Sequence, residues 1–327
     1  MESTIQLKKI AVLTSGGDAP GMNPCIRAVV RYGIAQGISV FGVENGFNGL
    51  IHGDFHEMGA RDVGGIMQRG GTILQTARSE EFVTKKGQRE AIRQMSSEGI
   101  DGLIVIGGDG SLQGAMKLHE QGIRVIGVPA SIDNDIFGTD MAIGVDTALN
   151  TIVDAIDKIR DTASSHSRAF LVETMGRESG YLAIQAGIVT GAEMVLVPEV
   201  PTDVEQLVKS MDEAYRRGKT HCIIVCAEGA KPQTTELAQI IDSMDLGFTT
   251  RVSILGHMQR GGKPTSFDRL LASRFGAKAI EFMLKGESGV MVGLDGNSIT
   301  TTPLEEVTTK KRKISMEVYG MASVLAR

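Results

Sequence analysis

The run Gly102-Leu103-Ile104-Val105-Ile106 passes directly into Gly107-Gly108-Asp109-Gly110-Ser111. A short β-branched run closed by glycines predicts a buried strand feeding a tight loop. Glycines let backbone N–H groups approach phosphate oxygens, and the N-terminus of a following helix adds favourable positive potential. Asp109 puts a hard carboxylate oxygen in that loop, through which Mg²⁺ can bridge to a phosphate. No GxxxxGK[ST] occurs, so this nucleotide-type loop does not follow the Walker pattern.

A second acidic loop follows the next strand-like run. Val125-Ile126-Gly127-Val128-Pro129 leads into Ala130-Ser131-Ile132-Asp133-Asn134-Asp135. Two carboxylates and a hydroxyl then lie just past a strand end, where open α/β sheets bind ligands. Asp133 is a candidate general base, Ser131 a candidate phosphate hydrogen-bond donor, and Asp135 a candidate support for the metal. An ordinary Asx-rich turn is the competing reading. A third loop, Gly16-Gly17-Asp18, follows the run at 10–13. It reads either as a tight turn with Asp18 capping the next helix or as a further phosphate loop.

Strand-like runs at 10–13, 40–43, 102–106, 125–128, 170–172, 194–197 and 222–225 alternate with helical patterns. Those patterns cover 24–36, 86–95, 112–120, 147–161, 180–188, 204–216 and 267–284. The helix at 147–161 places Leu149, Ile152, Val153, Ile156 and Ile159 at helical spacing. Such alternation predicts an α/β chain with mostly parallel sheets flanked by helices. At 327 residues, two domains are expected. A formal net charge of −5 argues against nonspecific nucleic-acid binding. No apolar stretch reaches the length of a membrane span, so no membrane association is expected. Met1-Glu2-Ser3-Thr4 lacks a basic-then-apolar signal pattern, and a reducing cytoplasm is the expected compartment. Cys25, Cys222 and Cys226 lack CxxC spacing; alternation puts the last two on one strand face, which predicts buried structural thiols. His52, His56, His119, His166 and His221 show no metal-ligand spacing. Met67–Gly71 and Met258–Gly262 share the sequence MQRGG, too short to establish a repeat.

Thr14-Ser15-Gly16-Gly17-Asp18-Ala19-Pro20-Gly21-Met22-Asn23, the GGDGS loop, the SIDND loop, Met175-Gly176-Arg177 and Gly256-His257-Met258-Gln259-Arg260-Gly261-Gly262 occur in that order. In this the chain resembles the bacterial ATP-dependent 6-phosphofructokinases, from about Ile10 to its last helix. The resemblance implies two similar α/β domains of the phosphofructokinase fold. They would comprise 1–143 with 256–306, binding ATP, and 144–255 with 307–327, binding a sugar phosphate. It implies transfer of the ATP γ-phosphoryl group, with Mg²⁺, to the 1-hydroxyl of fructose 6-phosphate.

In that resemblance Asp133 is the base, and Ser131, Gly17, Arg78 and Arg177 complete the catalytic set. ATP would contact Gly17, Arg78, Ser79, Gly108, Asp109, Gly110 and Ser111, with Asp109 toward the metal. The sugar phosphate would contact Ser131, Ile132, Asp133, Arg168, Met175, Gly176, Arg177, Glu228, Arg251, His257 and Arg260. Arg168 and Arg251 would come from a neighbouring subunit of a homotetramer. Effectors such as ADP or phosphoenolpyruvate would meet Arg27, Arg31, Arg160, Gly191, Glu193, Arg217, Lys219 and His221. Ala130-Ser131 stands where many such proteins carry Gly-Thr, and Ser131 retains the hydroxyl. Two alternatives remain open: pyrophosphate as donor, against which Gly110 speaks because pyrophosphate-dependent relatives usually carry aspartate there, and a catalytically silent sugar-phosphate sensor.

Overall fold

The computed structural model describes residues 7–164, 168–219, 221–244 and 247–325; His166 lies outside them. Two compact units are present. The first comprises 1–147 with 260–312, the second 148–259 with 313–327.

The first unit begins β1 (Lys9–Ser15), α1 (Met22–Ala35), β2 (Ser39–Val43), α2 (Gly46–His52), β3 (Phe55–Glu57) and α3 (Lys85–Glu98). It continues with β4 (Gly102–Gly107), α4 (Asp109–His119) and β5 (Val125–Pro129), and α5 (Val145–Ser164) carries the chain into the second unit. The second unit holds β6 (Arg168–Thr174), α6 (Tyr181–Thr190), β7 (Met194–Leu196), α7 (Val204–Arg216), β8 (Cys222–Ala227), α8 (Thr234–Asp242) and β9 (Thr249–Ile254). After a 3₁₀ turn at Gly256–Arg260 come α9 (Ser266–Leu284), β10 (Val290–Asp295), β11 (Ser298–Pro303) and α10 (Leu304–Thr309), again in the first unit; α11 (Met316–Leu325) closes the second.

The first sheet has seven strands in the order β11-β10-β5-β4-β1-β2-β3. Only its edge strands, β3 and β11, run antiparallel to their neighbours. β4 is buried along its whole length, as a central parallel strand covered on both faces must be. The chain leaves β1 toward β2 and β3, then returns to the other side of β1 through β4 and β5. That reversal opens a crevice outside the strands' carboxyl ends, between β1 and β4.

The second sheet has four parallel strands in the order β7-β8-β6-β9. Its core gathers Leu171, Leu196, Leu207, Met211, Ile224, Leu237 and Ile241 with Cys222 and Cys226. On α7, Leu207, Met211 and Ala214 face inward at the helical period. The burial of each large aliphatic chain contributes about 1.5–3 kcal/mol. Asp203 starts that helix by accepting the Gln206 amide at 2.9 Å. Both β8 cysteines are free and buried, and burial pushes their thiols up to about 12. They are inert packing groups, as the alternation predicts.

Elements absent from the sequence reading are α2, β3, α8, β9, β10, β11, α10 and α11. β9 shows the reason. It is an edge strand, its residues Thr249, Arg251 and Ile254 are exposed, and it offers no continuous apolar run.

Candidate active site

Three loops leave neighbouring parallel strands at one level of the first sheet. Ser15 at the end of β1 pairs with Gly107 at the end of β4, and Gly107 pairs with Pro129 at the end of β5. Neighbouring strands lie about 4.8 Å apart, so the three loops share one sheet end. Gly107 must be glycine: a Cβ there would lie 2.5 Å from the Ser15 carbonyl and 2.6 Å from Ser111 Oγ.

Asp18 does not cap α1, and Asp109 does not cap α4. Gly21 is the N-cap of α1 and Gly108 the N-cap of α4, both without a side-chain cap bond. Asp18 therefore stays in the loop. Asp109 occupies the first helical position of α4, where its carboxylate is exposed and accepts Gln113 Nε2 at 2.9 Å. Ser111 is buried, and its Oγ has no hydrogen-bond partner among the described residues. Gly110 faces open space, with no atom within 4 Å of where a Cβ would be.

The loop after β5 is tied on both sides. The Ala130 amide donates to Gly107 O at 2.9 Å, joining it to the β4 loop. Ile143 brackets Ala130: its amide donates to Pro129 O at 3.0 Å, and its carbonyl accepts the Ser131 amide at 3.1 Å. Ser131 Oγ then accepts the Asp133 amide at 3.3 Å. Asn134, in the left-handed region at φ 49°, accepts the Ala142 amide at 3.0 Å and donates to Asp140 O at 3.2 Å. Asp133 itself is 4% exposed. An acid this buried is more than a solvated turn residue.

Arg78 and Ser79 sit on a segment tied to the end of β1. Thr14 Oγ1 donates to Gln75 O at 2.8 Å and lies 2.9 Å from Thr72 Oγ1. Buried Asn23 holds the preceding turn, donating to Arg69 O at 3.0 Å and accepting the Ile73 amide at 2.8 Å. Arg260 lies in the same unit, against Gly17, where a Cβ would collide with its guanidinium. Its Nε is buried without a hydrogen-bond partner among the described residues. The two MQRGG segments also meet here: the Gly70 Cα lies against the Gly262 backbone.

The second unit gathers another group at the ends of β6, β8 and β9. Gly176, at φ 141°, and Arg177, at φ 53°, form a left-handed turn after β6. Glu228, following β8, accepts the Gly176 amide at 3.1 Å and the Arg177 amide at 2.6 Å through Oε1. Fully buried Gln259 accepts the Met175 amide at 3.2 Å. His257 is exposed on the 3₁₀ turn after β9. Arg168 does not join this group. It begins β6 while Met175 follows its end, a separation of about 20 Å along an extended strand. Arg251 is exposed on β9, paired across to Phe170 near the same far end.

The remaining candidates fall in both units. Arg27 and Arg31 lie on α1, where Arg31 donates to Ala60 O at 3.2 Å. Arg160 donates to Thr190 O, beside Gly191, the C-cap of α6. Glu193 pairs with Lys219 at 3.4 Å and accepts the Ile223 amide at 2.7 Å; Arg217 caps α7, and His221 is half-buried. Among the described residues, no three His, Cys, Asp or Glu side chains converge as a metal cage. Thr14, Asn23, Asn134 and Gln259 hold the loops. All four stand inside the sequence motifs, which assign none of them a role.

Residues 9–283 match the family model described as phosphofructokinase. A protein of Thermotoga neapolitana named "ATP-dependent 6-phosphofructokinase" is 54% identical over 321 residues, covering 98% of this chain and 100% of its own length. Phosphofructokinase from Saccharomyces cerevisiae aligns at a TM-score of 0.86 with 38% identity, over 97% of this chain and 46% of the yeast chain. Pyrophosphate-dependent phosphofructokinase from Marinobacter aquaeolei aligns at a TM-score of 0.84 with 21% identity, over 95% of this chain and 86% of that one; that likeness shows the fold alone.

Proposed function

The chain belongs to the phosphofructokinase family, and on that premise we propose that it is an ATP-dependent 6-phosphofructokinase. It transfers the γ-phosphoryl group of ATP to the 1-hydroxyl of fructose 6-phosphate, giving fructose 1,6-bisphosphate and ADP, as a cytoplasmic enzyme of glycolysis. One observation carries the reading: the in-register ends Ser15, Gly107 and Pro129 bring two glycine-acid loops beside the loop bearing Asp133.

Asp133 accepts the proton of the attacking hydroxyl. The residue is 4% exposed, so little water competes for that proton. Backbone N–H at Gly17, the Ser131 hydroxyl and the Arg78 and Arg177 guanidinium groups stabilise the moving phosphoryl group. Gly108, Gly110, Ser111 and Ser79 line the nucleotide phosphates. Buried Ser111 Oγ supports this, because a hydroxyl with no protein partner among the described residues is suited to a phosphate oxygen.

Asp109 fits Mg²⁺. The ion commonly takes one or two carboxylates and completes its shell with phosphate oxygens and water, and an exposed acid at a helix start offers that. Held there, Mg²⁺ would supply neutralisation of charge on the nucleotide phosphates. Gly110 favours a nucleotide over pyrophosphate, since the open space beside it would be crowded by an acidic side chain.

Met175, Gly176, Arg177, Glu228, His257 and Arg260 bind the sugar phosphate with Ser131, Ile132 and Asp133. Arg168 and Arg251 serve the site of a neighbouring copy in a homotetramer, which the ~20 Å of strand between Arg168 and Met175 supports. Effector binding is assigned to Arg27, Arg31, Arg160, Gly191, Glu193, Arg217, Lys219 and His221, with ADP and phosphoenolpyruvate as ligands. Coupled assay of fructose 6-phosphate phosphorylation with ATP, and separately with pyrophosphate, tests the reading. Turnover with ATP alone is expected. Turnover with pyrophosphate alone, or with neither donor, overturns it.

A further inference from the structure

Asp268 is 0% exposed, and no step above uses it. Lying on the first turn of α9, it accepts the Gly144 amide on Oδ1 at 2.9 Å. Its Oδ2 accepts the Thr147 amide at 2.8 Å and the Thr147 hydroxyl at 2.5 Å. Those donors begin α5, whose start it therefore caps from another helix. The clasp is reciprocal. Thr265 caps α9 by accepting the Asp268 amide at 3.2 Å, and its hydroxyl donates to Asp146 on α5 at 2.6 Å.

Burial pushes the Asp268 carboxyl up to about 6, against the lowering effect of the Thr147 and Gly144 hydrogen bonds; Asp146 adds like charge. The charged form is thus held at a cost to stability. Stability alone does not explain a charge at this position. Its immediate neighbour in the network is the acceptor loop. Gly144 follows Ile143, and Ile143 brackets Ala130 through Pro129 O and the Ser131 amide. Asn134 binds the same segment at Asp140 and Ala142.

We propose that Asp268 is a positioning residue for phosphoryl transfer: it fixes the backbone of 142–145, and through Ile143 it sets Ser131 and Asp133 for the acceptor hydroxyl. The proposal rests on the assignment of Asp133 as base. Misplacing a reacting group by about 1 Å can cost on the order of 10²-fold in rate.

Asp268→Asn is the probe. Its amide presents N–H where an oxygen stood, opposite the donor of Gly144 or of Thr147, so one tie is lost. Two readouts on the folded full-length enzyme are expected to move together. Hydrogen exchange of the Ser131 amide rises while that of β4 stays unchanged. The kcat falls about tenfold or more, with the KM for ATP within about threefold. An unchanged Ser131 exchange overturns the proposal, and so does an unchanged kcat. Asp133→Asn, assayed alongside, separates the two claims: if it keeps full turnover, the base assignment fails while the exchange result still reports on the clasp. Should Asp268→Asn not fold, Thr147→Val and Thr147→Ser take its place. Loss of turnover in the valine variant, with wild-type turnover in the serine variant, supports the clasp; equal turnover in both overturns it.

Discussion

At the end of the seven-stranded sheet main-chain bonds join the candidate loops to one another, while the Thr14, Asn23 and Asn134 side chains tie them to segments behind. Gly107 meets Ser15 and Ala130, Ile143 brackets Ala130, and α4 starts at Gly108 with no side-chain cap. At the end of the four-stranded sheet the holding groups are side chains. Glu228 and Gln259 grip the amides of 175–177 and force a left-handed turn at Arg177. The contrast reflects the ligands proposed for each. Phosphates crossing a glycine loop need bare N–H groups and close approach. A sugar phosphate needs a guanidinium and a carboxylate at fixed angles, which a clamped turn provides.

The largest expected effect breaks the first region at its base. Asp133→Asn is nearly isosteric but cannot take the proton, so turnover falls roughly 10²–10⁴-fold while sugar affinity changes much less. Steady-state kinetics with both substrates varied checks it; an unchanged kcat removes Asp133 from that role.

Gly17→Ala should come next, costing about 10²-fold in kcat/KM for ATP. Its methyl collides with the Arg260 guanidinium, so either that arginine or the loop moves away. Retained kcat/KM would show that close approach at Gly17 is dispensable.

Most of the first region was legible in the sequence, and the second only partly. Gly102–Gly107 and Val125–Pro129 announce themselves because buried parallel strands are continuous apolar runs and because glycine and aspartate mark the loops at their ends. Asn134 and Gln259 stood in the motifs, but their roles were not legible. Their work is to bind backbone far along the chain, Gln259 at Met175, and no local pattern records such a partner. Arg251 was named through the resemblance, but the edge strand that carries it was too polar to read. Asp268 was not singled out in the sequence at all; by position it is a first-turn acid of α9, and only its complete burial sets it apart.

That burial gives a pH signature. The Asp268 carboxyl is raised from 3.8 to about 6 in the folded chain. The folded state therefore binds its proton more tightly than the unfolded state. Stability from this group is greatest below pH 3.8 and falls as pH rises through 3.8 to about 6, then levels. The loss is on the order of 3 kcal/mol. Asp268→Asn lacks this titration, so its unfolding free energy should gain on wild type by that amount between pH 4 and 7. Urea unfolding at several pH values measures the gap, and a gap independent of pH contradicts the burial account.

The smallest effect sharpens the second region. Glu228→Gln keeps an oxygen for the amides of Gly176 and Arg177, so the turn survives and the KM for fructose 6-phosphate rises only about threefold. Glu228→Ala releases the turn and should raise it tenfold or more. Equal KM values in the two variants would show that the clamp does not orient Arg177.

Arg168 stands a strand's length from Met175, and the proposed site is accordingly divided between two chains. Mixing two inactive variants, Arg168→Ala and Asp133→Ala, tests this division most directly. At equal amounts of chain, random assembly makes about one quarter of the sites wild type in composition, and co-refolded enzyme should regain activity in that proportion. If no mixing ratio restores activity that neither variant shows alone, every site is built within one chain and the shared site is wrong.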